Sequence, residues 1–183
     1  MADTARTSAD LLTNIFPDGQ AAGAITAQDI RDFVVSVKPA HAACSMATPA
    51  ATTITVAGTY YKAAGATTFD ADTDSFDDDL GTSNRLKYIG APDRHCEIIA
   101  TISMTCGSSN QVLGFKLAVN GVVVDDSVSR RKVGTSSDVG GITLAAHADL
   151  STNDYIEVWC TNETSTATVT LDNMHFKVTG FID

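Results

Sequence analysis

The densest group of chemically able side chains is an acidic run at 70–79. Asp70, Asp72, Asp74, Asp77, Asp78 and Asp79 place six carboxylates there. Acids at alternate positions are how a loop gathers hard oxygen ligands for calcium. A helix-flanked calcium loop also needs glycine at its sixth position and glutamate at its twelfth. Counted from Asp70, those positions hold Ser75 and Gly81, and the flanks read as strands. Like charges this dense repel and stay hydrated, so the reading is a solvated acidic loop and no metal site.

Other site chemistry is thin. The histidines are His41, His95, His147 and His175. His95 and Cys96 are neighbours on a strand, so they point to opposite faces and cannot chelate one ion together. No His-Glu-x-x-His pair occurs, and the spacings of Cys44, Cys96, Cys106 and Cys160 fit no zinc template. No apolar leader follows Met1, so the expectation is a reducing cytoplasm with four small, buried, hydrophobic cysteines. The glycosylation triplet at Asn162 carries no meaning without secretion. There is no Gly-x-Ser-x-Gly elbow, cysteine-protease signature or phosphate-cradling loop. The expectation is a protein that is not an enzyme, holds no cofactor and acts by binding.

Charge narrows the partners. The formal net charge is −10, and the one basic cluster, Arg130-Arg131-Lys132, reads as a solvated turn. A nucleic-acid partner is therefore not expected. Nor is a membrane, since no run of about 18 apolar residues exists.

Binding needs a surface, and the front of the chain offers one. Thr26 is a good N-cap, with Asp29 three residues on as in a capping box. Ile25 precedes the cap and Ile30 takes the fourth helical position, the spacing of a hydrophobic staple. Ile30, Phe33, Val34 and Val37 repeat at three- and four-residue spacing, one apolar stripe on a helix that Pro39 stops. A helix this short is not stable alone in water, so its stripe needs a partner surface on this chain or another. Ile25, Ile30, Phe33, Val34 and Val37 are the candidate docking residues.

The rest of the chain must position that helix. Its 183 residues suit one domain plus an appendage. Residues 1–22 are small and polar, with a turn at Pro17-Asp18-Gly19. Residues 39–51, rich in alanine and proline, read as a linker, so the division is an arm, helix and linker over 1–51 and a β domain over 52–183. From Thr52 the period becomes two. Cys96, Ile98, Ala100, Ile102, Met104 and Cys106 fall on one face of a long strand. Leu113, Phe115, Leu117 and Val119 alternate into Asn120-Gly121, a strong hairpin signal. Ile142 and Leu144 mark a shorter strand. Thr168–Thr170 and Met174–Val178 make a last pair, with a turn or bulge at Asp172-Asn173. Many short strands without helical period after residue 40 predict a mainly β, antiparallel sandwich or barrel.

Tyr155, Glu157 and Trp159 alternate with Ile156, Val158 and Cys160. If the aliphatic set is core, the two aromatics face outward, where such residues commonly form interfaces. A two-residue period does not say which face is core, so the opposite assignment stays open.

Two parts together resemble a known family. The segment at 23–36 (Gly-Ala-Ile-Thr-Ala-Gln-Asp-Ile-Arg-Asp-Phe-Val-Val-Ser) resembles a helix near the N-termini of tailed-bacteriophage structural proteins. The stretches at 84–90, 96–106, Asn120-Gly121 and 150–159 resemble phage proteins with a tumour-necrosis-factor-like jelly roll. The chain departs at Asn153-Asp154, where Gly-Asp is commoner. The resemblance implies a jelly-roll sandwich behind an N-terminal arm and one short α-helix, assembled as a homotrimer. Tyr155 and Trp159 are then the candidate trimer-interface residues. It further implies a virion component assembled in the host cytoplasm. The leading expectation is a capsid decoration protein of the cement or head-fibre type. Its partners would be itself and the major capsid protein or another virion protein. The alternative is a tail-associated receptor-binding trimer, for which a host glycan is a candidate partner and residues 70–79 a candidate recognition element.

Overall fold

The computed structural model describes residues 4–182 except 18, 20, 22, 47 and 72–74, with backbone alone at 71 and 182. Two helices precede the strands: α1 (Ser8–Asp10), which runs on into a π-helical turn at Leu11–Ile15, and α2 (Ala27–Val37). The strands follow as β1 (Ala40–Met46), β2 (Ala50–Thr52), β3 (Tyr61–Lys62), β4 (Thr68–Ala71), β5 (Phe76–Asp77), β6 (Leu86–Tyr88) and β7 (Arg94–Cys106). Then come β8 (Gln111–Val119), β9 (Val122–Val123), β10 (Ser129–Val133), β11 (Gly140–Leu150), β12 (Tyr155–Asn162) and β13 (Val169–Ile182).

They form two antiparallel sheets. One has the order β11-β7-β13-β1-β4, with β2 also on β13. The other has the order β10-β8-β12-β6-β5, with β3 on β12 and β9 on β8. Alternation explains the stacking. In β7, Cys96, Ile98, Ala100, Ile102, Met104 and Cys106 are all buried, and they meet Leu113, Phe115, Leu117, Ile156, Val158 and Cys160 from the opposite sheet in one core. Leu171 and Met174, three residues apart, both reach that core because the register shifts between Leu171 and Asn173. This bulge lets β13 continue as one strand. Asn120 (φ 53°) and Gly121 (φ 75°) form the expected tight turn between β8 and β9.

Four expectations need correction. Residues 39–51 are not a linker: Ala40, Ala42, Cys44 and Met46 point into the core, and β1 sits between β13 and β4. Small residues carry little β signal, and pairing on both sides supplies what propensity lacks. The strand around Ile142 and Leu144 extends over Gly140–Leu150, an edge strand paired with β7 along its whole length, so that this one partner supplies what its small residues lack. Arg130, Arg131 and Lys132 lie not on a turn but in the edge strand β10, where cations discourage pairing with another chain. Residues 4–16 are more than a polar arm: Leu11 and Ile15 are buried, and Thr7 caps α1 through the Asp10 N–H at 3.1 Å. Asp18, in the expected Pro17-Asp18-Gly19 turn, lies outside the described residues.

Candidate functional site: an outward apolar helix face

α2 begins as its sequence requires. The Asp29 N–H donates to Thr26 Oγ1 at 3.2 Å, and the Thr26 N–H donates to Asp29 Oδ2 at 2.7 Å. The helix is nevertheless turned the unusual way round. Its buried residues are Asp32 and Ser36, while Ile30 is 50%, Phe33 39%, Val34 57% and Val37 47% exposed. Ile25, ahead of the cap, is also exposed.

The N-terminal segment causes this inversion. Asp32 Oδ1 accepts from the Thr4 N–H at 2.9 Å and from Gln28 Nε2 at 2.6 Å. Asp32 Oδ2 accepts from Arg6 Nε at 3.2 Å and Nη2 at 3.1 Å. The Arg6 N–H donates to Ser36 Oγ at 2.7 Å, and that hydroxyl donates to Asp32 O at 2.6 Å. Hydrogen bonds from the Thr4 amide, then from Gln28 and Arg6, hold the Asp32 carboxyl below the usual carboxylate range. A charged, four-times-bonded acid is the feature that turns the polar side of α2 inward.

The apolar side is left outward and enlarged by neighbours. Phe16 meets Phe33 edge-on, with ring centroids 5.5 Å apart. Leu11, Leu12, Phe16, Phe33, Val37 and Phe181 line a shallow apolar recess of about 380 Å³. Leu12 and Phe181 are themselves exposed. The structure thus brings Phe33 and Val37 together with Leu12, Phe16 and Phe181, which lie outside the helical stripe and which its period could not reveal.

The other candidate pair lies on the outer face of the β8–β12–β6 sheet. Ile156, Val158 and Cys160 are fully buried, which fixes Tyr155 and Trp159 outward. Glu157 between them is 2% exposed yet ionised. It takes Lys62 Nζ at 2.7 Å, Arg85 Nη2 at 2.8 Å and Nε at 3.0 Å, and Trp159 Nε1 at 3.0 Å. Burial alone would raise this carboxyl, but the bonds from Lys62, Trp159 and Arg85 outweigh it and hold it low. Arg85 also stands 3.8 Å over the Tyr155 ring and pairs with Asp79. Tyr155 and Trp159 therefore already have partners within the chain, and Lys62 and Arg85 are contacts that local spacing could not show.

The four histidines stand exposed on the outer face of the β11–β7–β13–β1 sheet. His95 stacks on His147 with centroids 5.4 Å apart, and its Nδ1 lies 2.7 Å from Asp149 Oδ1. Among the described residues no group of three or more His, Cys, Asp or Glu side chains is arranged to hold a metal. Part of the 70–79 acidic run, at 72–74, lies outside those residues. All four cysteines are buried as free thiols, and burial pushes Cys44 and Cys160 up to about 12. Among the described residues no helix is long and apolar enough to cross a membrane.

No known family model matches the chain, and no curated protein matches its sequence. Solved structures do. Murine APRIL at pH 5.0 superposes with a TM-score of 0.53 at 9% identity, over 77% of this chain and 99% of that one. The globular domain of zebrafish complement 1qA gives 0.46 at 8% identity, over 80% and 98%. PRD1 vertex protein P5 gives 0.43 at 12% identity, over 80% and 99%. The first of these likenesses and the two-sheet topology define the fold: the chain is a tumour-necrosis-factor-like jelly roll with an N-terminal helical extension.

Proposed function

We propose that this protein is a bacteriophage virion component, a homotrimeric capsid decoration protein of the cement or head-fibre type. Its jelly roll assembles in threes, and α2 fastens each copy to the shell. The observation that carries this reading is the outward apolar face of α2, pinned there by Arg6 and Asp32 rather than folded into the chain's own core. Burying such a face yields about 25 cal/mol per Å² of apolar area, and three faces on one trimer act together. Nothing in this mechanism needs bond chemistry.

Phe33→Asp places a charge at the centre of the face. The expected result is loss of attachment to purified particles, with the circular dichroism and oligomeric mass of the free protein unchanged. Normal decoration by this variant would remove α2 from the docking role. Copy number separates shell from tail: on the order of hundreds per particle fits decoration, about a dozen fits a tail receptor-binding trimer.

A further inference from the structure

Arg94 occupies a setting that the docking face does not explain. It opens β7, is 4% exposed, and closes the end of α2. Its Nη1 donates to Lys38 O at 3.0 Å and Gly180 O at 3.5 Å, and its Nε donates to Tyr88 Oη at 3.3 Å. The Tyr88 hydroxyl in turn donates to Pro92 O. Every acceptor here is neutral. Among the described residues no carboxylate lies within ion-pairing distance of Arg94, and its Nη2 donates to nothing.

A guanidinium keeps its charge at any physiological pH, and burying one without a counter-charge is costly. The carbonyl end of α2 supplies roughly half an elementary charge of compensation, and the Nη2 edge stays open to a further acceptor. Beside Arg94 lies a recess of about 240 Å³ bordered by Lys38, Ser75, Gly90 and Ala91. Among the described residues that line it, Arg94 and Lys38 are the charged ones. The recess is several times the volume of one water, which is about 30 Å³ in the liquid. It has room for one small oxygen-bearing anion.

We propose that this recess is a binding site for a small oxyanion, a carboxylate or phosphate group, held by the free amino edge of Arg94. Guanidinium groups favour both acceptors through charge-assisted hydrogen bonds. The site would tie β7, the loop at Gly90 and the end of α2 to one ligand, and it stands independently of attachment through Phe33.

The test is amide-resolved NMR of the full chain, titrated with sodium phosphate and separately with sodium acetate at constant ionic strength. The expected result is saturable shifts at Ser75, Gly90 and Ala91 with at least one anion, and which anion saturates gives the ligand class. Ala91→Glu, an exposed position at the recess mouth, supplies a carboxylate in place and should weaken the response at least about tenfold, with the β-sheet spectrum retained. Arg94→Gln should abolish it; should that variant fail to fold, Ala91→Glu still decides. Shifts that never saturate, or that saturate equally in Ala91→Glu, overturn the proposal.

Discussion

Glu157 shows how one residue sets the character of a surface. A carboxylate this buried persists only because Lys62, Arg85 and Trp159 aim donors at it. Removing its charge leaves Lys62 beside Arg85 with Asp79 as the one acid still paired to Arg85 among the described residues. Glu157→Gln should therefore lower the unfolding free energy by about 3 kcal/mol, read from urea titration at neutral pH. The sign of the pH effect follows from the held-down carboxyl. The folded chain takes up this proton at lower pH than the unfolded chain, whose ordinary value is about 4.5. The stabilisation is complete above that value and is lost as pH falls through the lower folded one. The variant should thus show a shallower fall in stability on acidification, measured by the same titration across pH. The alternation of Tyr155, Glu157 and Trp159 was readable from the sequence. Which face they take was not, because a period of two has no sign, and Arg85 lies 72 residues away in the chain.

At the scale of the element, α2 displays a stripe whose existence sequence reveals and whose direction it does not. Thr26, Asp29 and the Ile30–Val37 spacing specify the helix by local chemistry alone. What turns it outward is Asp32, engaged by Thr4 and Arg6 from 28 and 26 residues upstream. Asp32→Ala should free the arm: tryptic cleavage after Arg6 should speed up about fivefold or more, while cleavage within the β body stays slow. Equal cleavage in both proteins would mean that Arg6 is held by something other than this acid. The strands divide along the same line. β7 is legible because its core face carries cysteine, isoleucine and methionine at strict alternation. β1 and β11 are not, because Ala40, Ala42, Gly140, Ala146 and their neighbours owe their conformation to pairing with β13 and β7 rather than to their own preference.

At the scale of the molecule, the proposed role requires two surfaces: one that joins copies and one that grips the shell. Sedimentation equilibrium should find three copies per assembly. Trp159→Glu should shift that equilibrium toward the monomer if Tyr155 and Trp159 form the contact. The other large sheet face places Ala145, Ile99, Lys177 and Ala43 side by side across four strands. Dissociation by Ile99→Glu but not by Trp159→Glu would move the contact there. The proposed gripping surface admits a more direct measurement. A photo-crosslinking amino acid at position 34, in the middle of the exposed stripe, can be activated on intact particles and its adducts read by mass spectrometry. The expected product is a covalent junction between this helix and the major capsid protein or another shell protein. Adducts confined to the chain itself or to other copies of it would contradict the claim that α2 is what holds the protein to the particle.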